Sequence, residues 1–127
     1  MAVIDFFDRG WMINPNGVAY LQDDKEYRFA EVGELSCRIA HKLLSLGLTT
    51  GSKGAVWALN DVTAWTCTLG LWRANMAWIP VGARNAAEEN HYVLDAFDCD
   101  ILFFQKYFAA VIAELQPRLP KIKHWVC

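Results

Sequence analysis

The sequence predicts a three-layer α/β domain: a mostly parallel sheet flanked by helices, with a small hairpin near its N-terminal end. Three observations carry that expectation. The run at residues 55–59 is continuously apolar, with the length and composition of a strand buried on both faces, and further short strand-like runs lie at 77–81 and, opening on Asp100, at 100–104. Longer stretches with helical periodicity lie between them. Strand and helix alternate at the spacing of right-handed crossover units, the connection that parallel strands require.

Residues 2–9 read as a short helix, and Asn14-Pro15-Asn16-Gly17 supplies turn chemistry after it. Two strand-like runs at 18–21 and 26–29, separated by the polar Gln22-Asp23-Asp24-Lys25, read as the hairpin. The clearest helix follows, because Val32, Leu35, Ile39, Leu43 and Leu46 fall at steps of three and four and make one apolar stripe. Such a stripe needs a sheet to lie on. Gly47 ends the helix as a residue free to take positive φ. After the strand at 55–59, Asn60-Asp61 offers an N-cap for a helix over 62–74, which is apolar on both long faces and expected to be covered. Pro80 sits near the end of the strand at 77–81, where a missing ladder donor is tolerated. Asn85-Ala86-Ala87-Glu88 matches a capping box, with Asn85 as cap and Glu88 reaching back, for a helix running to Phe97. A strand over 100–104, a helix over 108–115 and a last strand over 123–126, set off by Pro117 and Pro120, complete the alternation. No internal repeat or low-complexity tract interrupts it.

The chain of 127 residues suffices for one compact domain that buries roughly two thirds of the surface its unfolded form exposes. Hydrophobic residues make up 54% and aromatics 13%, with tryptophans at Trp11, Trp57, Trp65, Trp72, Trp78 and Trp125. That richness fills a core and leaves apolar surface for an interface to further polypeptide. Twelve Lys and Arg against 14 acidic residues give a net charge of -2, which provides no field for a phosphate backbone and excludes nucleic acid as an expected partner. Cys37, Cys67, Cys99 and Cys127 are far apart, with no Cys-x-x-Cys and no histidine at ligand spacing, so no metal site is expected. Three of them fall in apolar stretches as buried free thiols, the pattern of a reducing, cytoplasmic setting. Met1-Ala2-Val3-Ile4-Asp5 lacks the basic start of a signal peptide, and the longest apolar run, 62–72, is broken by Thr63, Thr66 and Thr68, so no transmembrane segment is expected.

Thr49-Thr50-Gly51-Ser52-Lys53-Gly54 has the residue types that cradle phosphate. A phosphate loop needs a strand before it and a helix after it, and here the order is reversed, so the segment reads as a helix-to-strand turn. His41, His91 and His124 are isolated in sequence and read as surface or half-buried side chains. Asp23-Asp24, Glu88-Glu89 and Asp98-Cys99-Asp100 are adjacent carboxylates that point apart into water rather than around a metal. No catalytic residue is assigned.

Tyr27-Arg28-Phe29-Ala30-Glu31-Val32, Leu46-Gly47-Leu48, Gly51-Ser52-Lys53-Gly54-Ala55-Val56, Leu69-Gly70-Leu71-Trp72-Arg73-Ala74 and Ala77-Trp78-Ile79-Pro80-Val81-Gly82-Ala83-Arg84 follow one another at fixed spacing. In this order they resemble the N-terminal segment of the adenylate-forming acyl-CoA ligases, the AMP-binding synthetases. The resemblance runs from Val18 to Val126. The family reads Gly-Asp-[Arg/Lys]-Val-Ala where this chain has Ser52 for the acid and an additional Gly54, and it has a glycine at the position of Asn75, a residue that also tolerates the left-handed region. Lys121-Ile122-Lys123-His124 matches the stretch before the last strand of that subdomain. The Thr/Ser/Gly-rich loop ending in Pro-Lys-Gly that grips ATP in the family is not among residues 1–127.

The resemblance implies that residues 1–127 are the first α/β subdomain, an incomplete fragment inactive by itself, of a larger ligase of fatty acid metabolism. That parent would use ATP, Mg2+ and coenzyme A, with a small-molecule carboxylic acid as substrate, the remainder of the same polypeptide as partner, and an oligomer possible. One site residue here is implied, Arg84 for CoA binding, because an arginine in the family's Leu-Asn-Pro-Arg stretch lies near the nucleotide phosphate of coenzyme A in some members. A guanidinium at the carboxyl edge of a parallel sheet binds phosphate bidentately; the alternative use of Arg84 is a salt bridge to Glu88 or Glu89. Two other readings stay open. One is adenylation with a different acceptor, as in amino-acid adenylation domains or luciferase-like oxidases. The other is a stand-alone flavodoxin-like binding module, although Asn60-Asp61-Val62-Thr63-Ala64-Trp65 lacks the hydroxyl and glycine pattern a flavin phosphate wants.

Overall fold

The strand-like runs at 55–59, 77–81 and 100–104 are among those that pair in parallel. The computed structural model describes residues 1–127 and contains α1 (Ile4–Ile13), β1 (Val18–Gln22), β2 (Lys25–Arg28), α2 (Phe29–Ser45), β3 (Lys53–Trp57), α3 (Val62–Arg73), β4 (Ala77–Ile79), α4 (Ala87–Ala96), β5 (Ile101–Phe104), α5 (Ala109–Leu115) and β6 (His124–Val126). β1 and β2 form the antiparallel hairpin, and the other four strands form one sheet in the order β4-β3-β5-β6, parallel throughout. Gly54 stands opposite Ile101, Ala55 opposite Ile79, and Phe103 opposite Val126.

Helices lie on both faces, which makes the three layers. Ala55, Trp57, Ile79 and Leu102 pack on one side against Leu94 of α4 and Ile112 and Leu115 of α5. Ile101 meets Ala40 and Leu43 of α2, Leu71 of α3 and Ala74 just past its end on the other. A third cluster, Ile4, Phe7, Val32, Val62 and Leu69, roots α1 on the α2/α3 pair. Arg73 ties the three helices together: it donates to both carboxylate oxygens of Asp8 at 3.0 and 2.6 Å and, through Nε, to Ser36 Oγ at 3.0 Å.

α2 departs from the expected stripe. It lies chiefly on α3, and its buried line is Val32, Gly33, Ser36, Ala40 and Leu43, while Leu35, Ile39 and Leu46 stay half-buried. Small residues let two helix backbones approach closely, so the contact forms along them rather than along the large side chains. At the seam a Cβ on Gly70 would collide with the Ile39 side chain.

Several boundaries move. α1 runs to Ile13 rather than stopping at residue 9, and β4 ends at Ile79, before Pro80. β3 starts at Lys53, ahead of the expected 55–59, because Gly54 belongs to the sheet: a Cβ there would stand 2.5 Å from Leu71 Cδ2 and 3.0 Å from Ile101 Cγ2. The glycine that departs from the family pattern is therefore a packing requirement. Asp23 and Asp24, at φ 48 and 64, make the two-residue hairpin turn. Gly47 at φ 82 closes α2 as expected, with the Leu48 amide donating to the Leu43 carbonyl at 3.1 Å, and Asn75 at φ 60 takes the left-handed role. The turn at 49–54 uses its hydroxyls internally, since Ser52 Oγ accepts from the Thr49 amide at 3.1 Å and Thr50 Oγ1 from Asn75 Nδ2 at 2.7 Å.

Cys99 is wholly buried, and desolvation pushes its thiol up to about 12 from an ordinary 9.0, against the opposing bond to Ile101. The fold favours the neutral form, so the stability this group contributes is complete below pH 9 and lost as pH rises from 9 toward about 12. Urea midpoints should fall over that range, and Cys99→Ala should flatten the fall while lowering stability at neutral pH. Parallel declines in the two proteins would assign the alkaline loss to other groups.

Candidate functional site

β3 continues into α3 on one face of the sheet, whereas its neighbours β4 and β5 continue into α4 and α5 on the other. Loops leaving adjacent strands part in opposite directions there, and a crevice opens outside the carboxyl ends, the place where open α/β sheets bind ligands. Between the turns after β3 and β4 it has a volume of about 620 Å³, lined by Ala58, Leu59 and Asn60 on one side and Val81, Gly82, Ala83, Arg84 and Asn85 on the other. A more apolar extension of about 340 Å³ passes Asn60 and Val81 to reach Trp65, Thr68 and Trp78.

The two turns differ in what their donors do. After β3, Asp61 caps α3 by accepting from the Ala64 amide at 2.9 Å. Gln22, from the hairpin, clasps the same turn: its Oε1 accepts from the Val62 amide at 2.7 Å and its Nε2 donates to Asp61 Oδ2 at 3.2 Å. Gln105 holds the turn from β5, accepting from the Leu59 amide at 2.8 Å. With these amides taken, an anion finds little there, which argues against the flavodoxin-like reading.

The turn after β4 is fixed from beneath instead. Asn90 of α4 is fully buried; its Nδ2 donates to the Gly82 carbonyl at 2.8 Å and its Oδ1 accepts from Asn85 Nδ2 at 3.3 Å. This holds residues 82–85 in place and leaves Arg84 exposed at the crevice with no ion-pair partner, beside a helix N-terminus that no side chain caps.

The capping box expected at 85–88 does not form. α4 begins at Ala87 after Ala86, Asn85 turns to Asn90, and Glu88 takes a bidentate pair with Arg118 at 2.7 and 2.8 Å. That fork from beyond α5 holds the Glu88 carboxyl below its usual range and removes it as a partner for Arg84. Asn90 and Gln22 were not singled out in the sequence. For Asn90 the available signal is a polar amide, poor in helix propensity, placed inside a helix; Gln22, at the end of β1, offers none. His41 is exposed on α2, His91 contacts the Arg118 carbonyl at 3.1 Å, and His124 opens β6, so none of the three meets another catalytic group. Asp98 is paired with Lys121 at 2.9 Å, and Asp100 accepts from the Lys53 amide at 2.8 Å.

A doubly wound parallel sheet with an unpaired guanidinium at its carboxyl edge is the layout in which α/β domains hold phosphorylated ligands. A sequence profile of the AMP-binding enzymes matches residues 7–126, and the chain belongs to that family. It is 24% identical over 121 residues to the 3-oxocholest-4-en-26-oate–CoA ligase of Rhodococcus rhodochrous, covering 95% of this chain and 22% of that protein. To a medium/long-chain-fatty-acid–CoA/3-oxocholest-4-en-26-oate–CoA ligase of Mycobacterium marinum it is 28% identical over 109 residues, 86% of this chain and 20% of that one. The crystal structure of the anthranilate CoA ligase AuaEII with anthranoyl-AMP superposes with a TM-score of 0.92 at 19% identity, over 98% of this chain and 24% of that chain, which shows the fold to be shared. The chain thus spans about a fifth of the length of the relatives it matches. No helix is long and apolar enough to cross a membrane.

Replacing Asn90 by Leu should strip the Gly82 carbonyl and Asn85 of their buried partner and lower stability by roughly 1 to 3 kcal/mol. Chemical denaturation of the two proteins measures it; an unchanged midpoint would show that the loop holds itself.

Proposed function

We propose that this chain is the first α/β subdomain of an ATP-dependent carboxylate–CoA ligase. The intact enzyme joins a carboxylate to ATP, releasing pyrophosphate and forming an acyl-adenylate, and then passes the acyl group to the coenzyme A thiol with release of AMP. Magnesium supplies charge neutralisation in the first step. The observation that carries this reading is the family match across 7–126 together with relatives named as CoA ligases. Those names favour coenzyme A over an amino-acid or luciferase-like acceptor.

Within this chain the crevice at β3 and β4 is the part that meets a substrate, and Arg84 is its reader of phosphate. Its guanidinium is exposed, unpaired and set on a loop pinned by Asn90. A planar fork of this kind takes two phosphate oxygens at once, which suits the nucleotide end of coenzyme A. Arg84 contributes to binding and orientation, not to bond making. ATP, the acid and magnesium are held mainly by parts of the protein beyond this chain.

In the intact enzyme Arg84→Ala should raise the KM for coenzyme A by about 10-fold or more, the scale of one lost charge-assisted bidentate pair. Adenylation, followed as ATP–pyrophosphate exchange, should stay unchanged, and Arg84→Lys should fall between. An unaltered KM for coenzyme A removes Arg84 from the site. Titration of ATP into residues 1–127 alone should give no binding, and a micromolar Kd would place the ATP site within this chain.

A further inference from the structure

On the α2 side of the sheet, helices cover Ile101 at the start of β5, and a groove lies open over Phe103 of β5 and Val126 of β6. Its floor is Phe103 and Val126, paired across the two strands, and its wall is the flank of α2 formed by Leu35, Ile39 and Leu46. Two contiguous cavities of about 420 and 400 Å³ share Ile39, Phe103 and Val126 and make one groove that runs on to Cys67 of α3. Leu35, Ile39 and Leu46 are the members of the α2 stripe that this chain leaves half-buried. Arg38 and Lys42 stand at one end and Lys106 at the other, none of them in an ion pair.

We propose that this groove is the seat of polypeptide that follows Cys127 in the intact protein, docked as a helix with apolar residues at three- and four-residue spacing and acidic residues facing Arg38 and Lys42. Most of the length of the matched relatives lies outside the segment shared with this chain, which supplies the polypeptide. Val126 and Cys127 themselves line the groove, so residues joined to them start inside it. A parallel strand such as β6 continues into a helix that packs back on the sheet, and the opposite face is already filled by α4 and α5. The unpaired cations match an acidic border, and the half-buried stripe of α2 matches an apolar face. The inference rests on the length of the relatives and not on the reaction proposed above.

The test is hydroxyl-radical footprinting of the intact protein, with modification at Phe103 and Ile39 read against the exposed Tyr107 after correction for intrinsic reactivity. Both should be modified at least about 10-fold less than Tyr107, as buried side chains in a cooperative unit are. Leu35→Glu and Val126→Glu, at groove positions outside the α2/α3 seam, should each lower the Tm of the intact protein by about 4 °C or more, while the footprint of the unsubstituted protein stands even where a variant fails to fold. Modification of Phe103 comparable to that of Tyr107 overturns the proposal. So does protection that disappears on dilution, which would assign the groove to a second copy, and so does a reading frame that ends at Cys127. CoA-ligase activity of the same sample separates the two readings: an active enzyme with an open groove removes only this one.

Discussion

Parallel pairing of β3 with β5 is the constraint from which the remaining architecture follows. Gly54 to Trp57 and Ile101 to Phe104 lie side by side in the middle of the sheet, covered above and below for much of their length. Parallel neighbours cannot be joined by a tight turn, so every connection has to travel back along the sheet, and each must choose a face. α3 takes one face while α4 and α5 take the other. That choice alone opens the crevice at the carboxyl edge, and the crevice is where Arg84 stands free.

A second level of organisation fixes how sharply the crevice is shaped. The close seam between α2 and α3, allowed by Gly70 and the small residues of α2, sets the position of the α3 N-terminus. Gln22 and Gln105 then hold the turn after β3 from two sides, and Asn90 holds the turn after β4 from below. Three side-chain amides, each both near a strand end and bonded to backbone, define the walls. Amides suit this work because they satisfy a donor or an acceptor without bringing in a further charge beside Arg84.

Much of the fold was legible because its signals are local. The period of the helix around Ile39, the doubly apolar runs and the residues that tolerate positive φ at Gly47 and Asn75 each describe a few neighbouring positions. Gly54 was visible only as an oddity, since its reason, the side chain of Leu71, arrives from a different element. The capping box at 85–88 failed in the same way: Asn85 and Glu88 had the right spacing, but Asn90 and Arg118 offered better partners that are close only in space. The proposal for Arg84 comes from a family pattern, whereas Asn90, which pins its loop, has no such pattern. The direction of the α2 stripe was the subtler miss, because periodicity reports that a face is apolar and is silent about whether a helix, a sheet or another stretch of polypeptide covers it.

The clasp of Gln22 on Asp61 and Val62 is reinforced by a second link, in which Trp65 Nε1 donates to the Tyr20 hydroxyl at 2.8 Å. Two links at neighbouring points of the hairpin and α3 leave no way for one to open without the other. The hairpin and the first turn of α3 therefore belong to one cooperative opening unit, and the exchange rate of the Val62 amide gauges how firmly a ribbon of two strands, marginal by itself, is splinted to that helix.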